Sequence, residues 1–591
     1  MKAIILAAGY GNRMRPLTDN CHKTMLEVGG QTIISRIIDG LTENGISDIV
    51  VVTGYRDTEL RAYLAQTRPD LNITFVHNER YRETNNIYSM ALAFESITID
   101  SDIVLIESDL VYRPEVIARL VNSPKGTIAL VDRYRPGMDG TVVTVEEGVI
   151  TNVIPPHLQS ASFDFSDKYK TLNIYRFSRE FCETSFKKLL VYYANVIDDN
   201  CYYELILGIL IYMQKETVYA EIIDGEIWAE VDDPNDLLAA QFGFNTDRRA
   251  ILGYAMGGYW NYDITDFCFI RNMHFPNTAI ISEMKNVLSD LIFNYGSRQE
   301  ILDRKLSWFL LCSESRCTAL NGASQLYPIL QNGYGFARGL IPSPTFGEYK
   351  RLFSSFKTYS DNGSIDMAEV ERLGEKCDVI VFVNPNNPTG TELDTALIHE
   401  FAAHHTDKCI IVDESFIEFS IYHSIIGTLE REPLDNVIVV KSLSKSLGVP
   451  GIRLGYTYSC STKYNEFVRK NIPIWNLNSA AEFFLEILLK HRQALRQSIE
   501  LTIRDREQFS SMLAAVPCVE KVFSSGANFL LLRLKGDAAC ADALCTRLLS
   551  THAVYVKDAS AKFNDNRGYF RLAVRTAEEN SRLVQLLKDN G

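Results

Sequence analysis

Two sets of residues in the 591-residue chain have types and spacings suited to phosphorus anions. The first opens the sequence. ILAAGYGNRMRPLT, residues 5–18, places Ala7, Ala8, Gly9 and Gly11 at the end of an apolar run, then Arg13 and, ten residues on, Lys23. Small residues let backbone N–H groups approach an anion, and two mobile cations suit a polyphosphate. The run is not GxGxxG, because the third glycine is absent, nor is it a GxxxxGK loop. Asp109, in LIESDLVY, stands just past another apolar run, where a parallel sheet holds its ligands. In the second set, KSLSKSLGVPGIRLGY (441–456), Ser442, Ser444 and Arg453 can hold a phosphate around the amine of Lys445. NPNNPTG (384–390) is a polar turn after a strand, and IVDESF (411–416) sets Asp413 at a strand's end. LNGASQLY (320–327) puts Ala323 and Ser324 before a helix, whose N-terminus is a natural phosphate cup. Each of these segments alone could equally be a turn or a cap.

The elements that must carry these residues alternate along the chain. Apolar runs at 3–7, 48–53, 73–77 and 103–107 read as strands, and IISRIIDGLTENG between the first two has helical spacing. This predicts an α/β fold with a mostly parallel, Rossmann-like sheet covered on both faces. A second alternation follows with strands at 378–383, 409–413 and 436–440. Between the halves lies a polar, then Gly-rich stretch, and the boundary is placed near residue 245, giving domains 1–245 and 246–591. The halves do not resemble each other, so the chain reads as a fusion and not a duplication.

Composition limits the partners. A net charge of −14 argues against a nucleic-acid surface. No apolar stretch approaches the ~20 residues of a membrane span, and the apolar start is too short for a signal peptide. Twelve cysteines without a CxxC read as free thiols of a cytoplasmic protein.

LAAGYGNRMRPLT closely resembles the signature of sugar-nucleotide and choline-phosphate nucleotidyltransferases, over about residues 1–240. His22-Lys23 stands where that signature has Pro-Lys. The resemblance implies transfer of a nucleotidyl group from an NTP to an anionic acceptor, with Mg²⁺ held by Asp109 and by Asp232 of WAEVDDPNDL, Asp233 being the alternative. ETNNIYSM (83–90) and NCYYELIL (200–207) resemble the choline-phosphate cytidylyltransferase branch, which implies CTP and an acceptor bearing both phosphorus and ammonium. Asn85, Asp139, Tyr202 and Glu204 are candidates to hold that acceptor.

From about residue 250 the four later segments together resemble fold-type I, pyridoxal phosphate (PLP)-dependent aminotransferases of the histidinol-phosphate group. That implies a large domain and a small domain, the latter built from an N-terminal arm near GGYWNYD and about residues 480–591. It implies that Lys445 bonds the cofactor and shuttles a proton, Asp413 pairs with its ring nitrogen, Asn387 bonds its O3′ and Phe346 stacks on it. Ala323, Ser324, Ser442, Ser444 and Arg453 would hold its phosphate. Arg571 matches the arginine for an α-carboxylate, and Arg575 adds a cation suited to a phosphonate. Phe416 stands where the family often has Tyr. A homodimer through the second half is expected.

The order of motifs resembles bifunctional phosphonate cytidylyltransferase–aminotransferase fusions. The implied sequence is phosphonoacetaldehyde plus an amino donor to 2-aminoethylphosphonate, then CMP transfer from CTP. The alternative keeps a phosphocholine or phosphoethanolamine cytidylyltransferase and makes the second half another aminotransferase or a phospho-amino-acid decarboxylase. Phe416 and IWNLNSA (474–480) also resemble such decarboxylases.

Overall fold

In the computed structural model, which describes residues 1–591 except 136, 161, 224 and 226, the chain divides into two compact units, Met1–Asp263 and Ile264–Gly591. The division falls beyond residue 245 because the polar stretch folds with the first unit. It forms the helix Arg248–Ala255, and Phe242 stacks on Tyr262 at 4.2 Å between ring centroids. GGYWNYD (257–263) therefore clusters with the first unit. The arm of the second unit begins just after it, where Thr265–Asp266 pairs in parallel with Val554–Tyr555.

The first strand of unit one, Lys2–Ala7, is buried along its length. Ala3, Ile5 and Ala7 enter one apolar cluster, and Ile4 and Leu6 enter another. This period of two means that both faces of the sheet are covered. The strand pairs in parallel with Asp48–Thr53 and Ile103–Glu107, and Asp48–Thr53 pairs with Ile73–His77. The helix Ile33–Glu43 covers one face with Ile33, Ile34, Ile37, Ile38 and Leu41, and Thr32 caps it by accepting from the Ser35 N–H. Beyond Ile103–Glu107 the nine-stranded sheet becomes mixed, starting with the antiparallel Tyr169–Phe177. The expectation of a mostly parallel sheet holds for the half bearing the glycine loop. It fails beyond, where Tyr169–Phe177 runs against both Ile103–Glu107 and Ile128–Arg133 and the far edge is a tight antiparallel hairpin of Val142–Glu146 and Val149–Ile154, with Glu147 and Gly148 at φ of 49° and 79°. A separate ribbon pairs Leu110–Tyr112 with Trp228–Glu230, and the Val231 N–H donates to the Asp109 carbonyl at 2.9 Å. That ribbon brings Asp109 and Asp232 together.

Unit two has a seven-stranded sheet in the order 317–320, 455–459, 437–442, 409–413, 379–383, 338–343, 355–360. Gly455–Ser459 alone runs against its neighbours. Asp413, Ser442 and Ser343 each end a strand of the parallel set, so all three reach the carboxyl edge of the sheet. The small domain is an antiparallel sheet of Val519–Val522, Phe529–Asp537, Arg567–Ala573 and Lys557–Asp558. Its helices include Arg492–Ala514, Ala538–His552 and Ala577–Asn590. The helix Ser479–Leu488 packs instead in the large-domain core, through Ala481, Phe484 and Leu485.

Candidate active sites

The glycine loop of unit one turns at Gly11, whose φ of 62° favours glycine, and a Cβ there would press on Lys23 and Thr18. The Thr18 hydroxyl donates to the Gly11 carbonyl at 3.0 Å, which closes the loop. His22 accounts for the departure from Pro-Lys. Its buried ring accepts from the Thr24 N–H at Nδ1, 3.2 Å, which leaves the Nε2 proton to donate to the Ala7 carbonyl, 3.2 Å. Burial lowers its pKa to about 4, so the ring is neutral near pH 7 and ties the end of the first strand to the turn bearing Lys23.

A cavity of about 600 Å³ opens on this loop. Lys23 Nζ lies 3.0 Å from Asp109 and 2.9 Å from Asp232, and Arg13 lies 2.8 Å from the other Asp232 oxygen. Burial opposes the Lys23 charge, yet Asp109 and Asp232 outweigh it and raise its pKa. Burial likewise works against the Asp232 carboxylate, but Lys23 and Arg13 prevail and lower its pKa. Among the described residues, Asp109 keeps one buried oxygen, Oδ1, with no partner. Asp233 is engaged elsewhere: it caps the helix Pro234–Phe244 by accepting from the Asn235 and Asp236 N–H groups. Asp139, Glu230 and Asp232 each turn an oxygen to within 4.8 Å of the others, a grouping that could hold a cation.

The same cavity is lined by Glu107, Glu204, Glu230 and Lys170. Lys170 pairs with Glu230 at 3.1 Å and donates to the Thr171 carbonyl at 2.9 Å. Burial, then Glu204, Asp109 and Glu230, hold the Glu107 pKa well above the usual range. Burial raises Glu204 and lifts Glu230 to about 7, Lys170 opposing both. Glu204 keeps Oε2 buried and unpartnered. The cavity thus carries more acid than its cations balance. Of the acceptor candidates, Asn85, Asp139, Tyr202 and Glu204 all line it. The Asn85 side chain, however, accepts from the Asn86 N–H as a helix cap, while Asn86 donates to Glu107 at 3.1 Å. Glu107, Glu230 and Lys170 were not read from the sequence; the only signal was Glu107 closing the apolar run IVLIE.

In unit two the carboxyl edge of the sheet collects the expected residues. Asp413 is buried and accepts from Tyr349 Oη at 2.7 Å and from Ser415 Oγ at 2.6 Å. Burial raises its pKa against those bonds. Lys445 is pushed down to about 8 by burial, Arg571 and Arg453, with Asp413 opposing. Arg453 donates to Ser324 Oγ at 3.0 Å and packs against Gly322, where a Cβ would run into the guanidinium. Ser444 Oγ is buried without a partner, and Phe346 presents a ring 40 % exposed. Arg571 donates to Asn387 Oδ1 at 3.2 Å. The NPNNPTG turn is organised by the buried Asp361, which accepts from Asn386, Thr389 and Thr391 at 2.6 Å each. The Lys445 loop is pinned by Asn272, whose N–H donates to the Lys445 carbonyl at 2.9 Å and whose side chain donates to the Ser446 carbonyl at 2.9 Å. Tyr349, Asp361 and Asn272 had no sequence signal.

Arg575 does not have the free cation expected of it. It is buried, pairs with Glu579 at 2.6 Å and donates to the Asp266 carbonyl at 2.8 Å, which ties the arm strand to the small domain. Phe416 packs in an apolar cluster against Phe529, ring centroids 5.1 Å apart. In IWNLNSA, Asn478 caps a helix, Asn476 donates to the Ala319 carbonyl, and Trp475 stacks on Tyr295.

The MobA-like NTP transferase domain matches residues 3–155, and the class I and II aminotransferase model matches residues 275–587. The chain belongs to the class I and II aminotransferase family. Ahead of its aminotransferase unit it carries the nucleotidyltransferase domain, so it is an enzyme with two reactive units. CMP-5′-(3-aminopropyl)phosphonate synthase of Streptomyces rubellomurinus is 29 % identical over 600 aligned residues, 99 % of this chain and 94 % of that protein. L-serine phosphate decarboxylase of Sulfurospirillum multivorans is 28 % identical, over 51 % of this chain and 81 % of its own. The solved structure of a decarboxylase from the same organism superposes with a TM-score of 0.50 at 25 % identity, over 55 % of this chain and 88 % of its own. The aminotransferase unit is thus of a kind shared by aminotransferases and decarboxylases. Its residues fit PLP: the orphaned Ser444 hydroxyl, the Gly322–Arg453 approach, the depressed Lys445 and the buried Asp413 suit a phosphate, an aldehyde and a pyridine nitrogen.

Proposed function

We propose that the chain makes and then activates an amino-phosphonate: unit two aminates phosphonoacetaldehyde to 2-aminoethylphosphonate, and unit one transfers CMP to it from CTP. The observation that carries this reading is the charge pattern of one cavity. Arg13 and Lys23 suit phosphorus anions, while Glu107, Glu204 and Glu230 outnumber Lys170, and an ammonium among them would favour the carboxylate forms that burial and mutual repulsion oppose. A zwitterionic acceptor matches both. The likeness, along the whole chain, to a protein named for a CMP-aminoalkylphosphonate supports it.

In unit one a phosphonate oxygen of the acceptor attacks the α-phosphorus of CTP, the α–β bridging bond breaks and pyrophosphate leaves. Anion meets anion, so the chain's contribution is positioning and charge neutralisation. Arg13 and Lys23 hold phosphate oxygens. Asp232 and Asp109 would hold Mg²⁺, and the unpartnered Asp109 Oδ1 supports that role. The metal would supply further neutralisation of the triphosphate.

In unit two PLP, when bound, supplies an electron-accepting ring. Ser324, Ser442, Ser444 and Arg453, with the Ala323 N–H, would hold its phosphate, and Phe346 would offer its ring to the cofactor. Asp413, fixed by Tyr349 and Ser415, keeps the ring nitrogen protonated. Asn387 would donate to the cofactor's phenolic oxygen. Lys445 Nζ, with its lowered pKa, is the amine that would tether the cofactor and, when free, would hold and move the proton at the substrate carbon. Arg571 holds an anionic end of the substrate.

The unit is proposed to work as a homodimer, supported by the exposed Ile292, Phe293, Trp308, Leu311 and Ile474. A cytoplasmic setting is supported by the twelve cysteines, none of which forms a disulfide among the described residues. Among the described residues no helix is long and apolar enough to cross a membrane.

The test supplies phosphonoacetaldehyde, a panel of amino donors, PLP, CTP and Mg²⁺, and follows CMP-2-aminoethylphosphonate by mass. Its formation only when the amine is supplied ready-made would remove the aminotransferase half of the proposal. Release of CO₂ from a phosphorus-bearing α-amino acid would assign decarboxylation in its place.

A further inference from the structure

Arg571 does not stand alone on its sheet. Lys557 lies directly opposite it in the antiparallel pair Lys557–Asp558 with Arg567–Ala573. Two like charges facing each other across a ladder cost stability unless something anionic lies between or beside them. A third cation joins them. Lys562 Nζ donates to the Thr345 carbonyl at 2.6 Å, next in sequence to Phe346. Lys562 is exposed, so an anion in solvent can reach its ammonium. Burial, then Arg571, Lys557 and Lys350, pull its pKa down to about 8, so each of those three cations acts on Lys562. Among the described residues none of Lys557, Lys562 and Arg571 has a carboxylate at ion-pair distance, whereas Arg575, nearby in sequence, has Glu579. Arg571 also keeps Nε buried with no partner.

We propose that Lys562, together with Arg571 and Lys557, forms a subsite for the doubly charged phosphorus headgroup of the amino substrate, and that Lys562 is the residue that sets preference for a phosphonate or phosphate over a carboxylate. Arg571 alone suffices for a carboxylate, since a planar fork matches two oxygens. A tetrahedral dianion offers a third oxygen and a second charge, and a flexible, exposed ammonium is suited to meet them. The Thr345 bond holds Lys562 beside Phe346, so headgroup and cofactor ring would share one wall. This rests on the proposed function for the kind of substrate but not for the reaction performed on it.

The experiment uses the PLP-loaded full chain and two dead-end probes, methylphosphonate and acetate. Each is titrated by calorimetry and as an inhibitor of amino transfer from 2-aminoethylphosphonate. Lys562→Met keeps the stem and removes the charge. It should weaken methylphosphonate about ten- to a hundredfold, raise the KM for 2-aminoethylphosphonate in parallel, and leave acetate binding and kcat within about twofold. Lys562→Arg should restore most of the loss. If Lys562→Met leaves methylphosphonate binding unchanged and lowers kcat, the residue only positions the Phe346 segment and the inference is wrong. Equal losses for both probes, or no methylphosphonate binding by the parent chain, overturn it too. Methylphosphonate binding that depends on Lys562, in a chain that does not aminate phosphonoacetaldehyde, would sink the proposed reaction while the subsite stands.

Discussion

Lys23 and Lys445 are both largely enclosed lysines set near the carboxyl edge of a sheet, and their surroundings drive them in opposite directions. Lys23 sits between Asp109 and Asp232, and its pKa is raised despite burial. Lys445 has Arg571 and Arg453 in its field, and its pKa falls to about 8. The difference teaches what each is for. A lysine kept charged by acids can steady phosphate oxygens and metal-binding carboxylates but is a poor nucleophile. One depressed by burial and by other cations has a neutral amine to offer near physiological pH. The two units carry opposite surpluses as well: acid around Lys170 in the first, cation around Arg571 in the second.

The comparison breaks most visibly if the two lysines prove exchangeable in effect. Lys445→Ala should abolish amino transfer, by on the order of 10⁴-fold or more, and leave CMP transfer to supplied 2-aminoethylphosphonate within about twofold. Asp232→Asn should cut pyrophosphate release by about 10²–10³-fold and leave amino transfer untouched. Coupled assays on each variant decide this, and loss of both activities from one substitution would refute independent sites.

Next in size is the support beneath the second site. Asp361 is fully buried and accepts three side-chain bonds and the Gly363 N–H. Asp361→Asn turns one acceptor into a donor facing donors. It should cost unit two about 3 kcal/mol and weaken PLP retention, read from urea unfolding of that unit and dialysis of the cofactor. Unit one should hold its urea midpoint.

A pH series sharpens the Lys445 half of the contrast. Only the neutral amine takes up PLP, so the uptake rate should rise about tenfold per pH unit below pH 8, bend near pH 8 where half the amine is neutral, and level off by about pH 9. An ordinary lysine would keep rising to about 10.4. Stopped-flow absorbance distinguishes the two profiles. A rise that continues past pH 9 with no plateau contradicts the depressed pKa.

What the sequence revealed follows the same physics. Strands such as 48–53 and 409–413 were legible because both faces of a covered sheet demand continuous apolar runs. The chemistry-bearing loops were legible because glycines, cations and hydroxyls must cluster in sequence to cup a phosphate. Single polar residues were not legible. Asp361 and Asn272 acquire meaning only when distant segments close on them, and Glu230 only when its ribbon pairs with Leu110–Tyr112. Arg575 reads in the sequence as an extra cation for a phosphonate, because a charge in isolation does not show its partner. Thr576 starts a capped helix at that point, and Glu579, one turn in, captures the guanidinium.

The smallest effect expected concerns His22, the residue that replaces the proline before Lys23. Its φ of −66° already suits proline, and no bond among the described residues uses its N–H. His22→Pro should therefore fold, losing the ring's bonds to Thr24 and Ala7 and its stacking on Tyr55, about 1–2 kcal/mol in unit one, with pyrophosphate release within about threefold. Acid should tell the variants apart. The folded ring titrates at about 4, below its ordinary 6.5, so the unfolded chain binds the extra proton between those values and stability falls as pH drops through that window. The proline variant lacks that proton site and should lose less stability over the same interval. Urea midpoints for pyrophosphate release, taken from pH 6.5 down to 4, measure this. Parallel curves would mean that His22 is not held neutral, and that the tie between the first strand and the Lys23 turn is not the reason a histidine stands there.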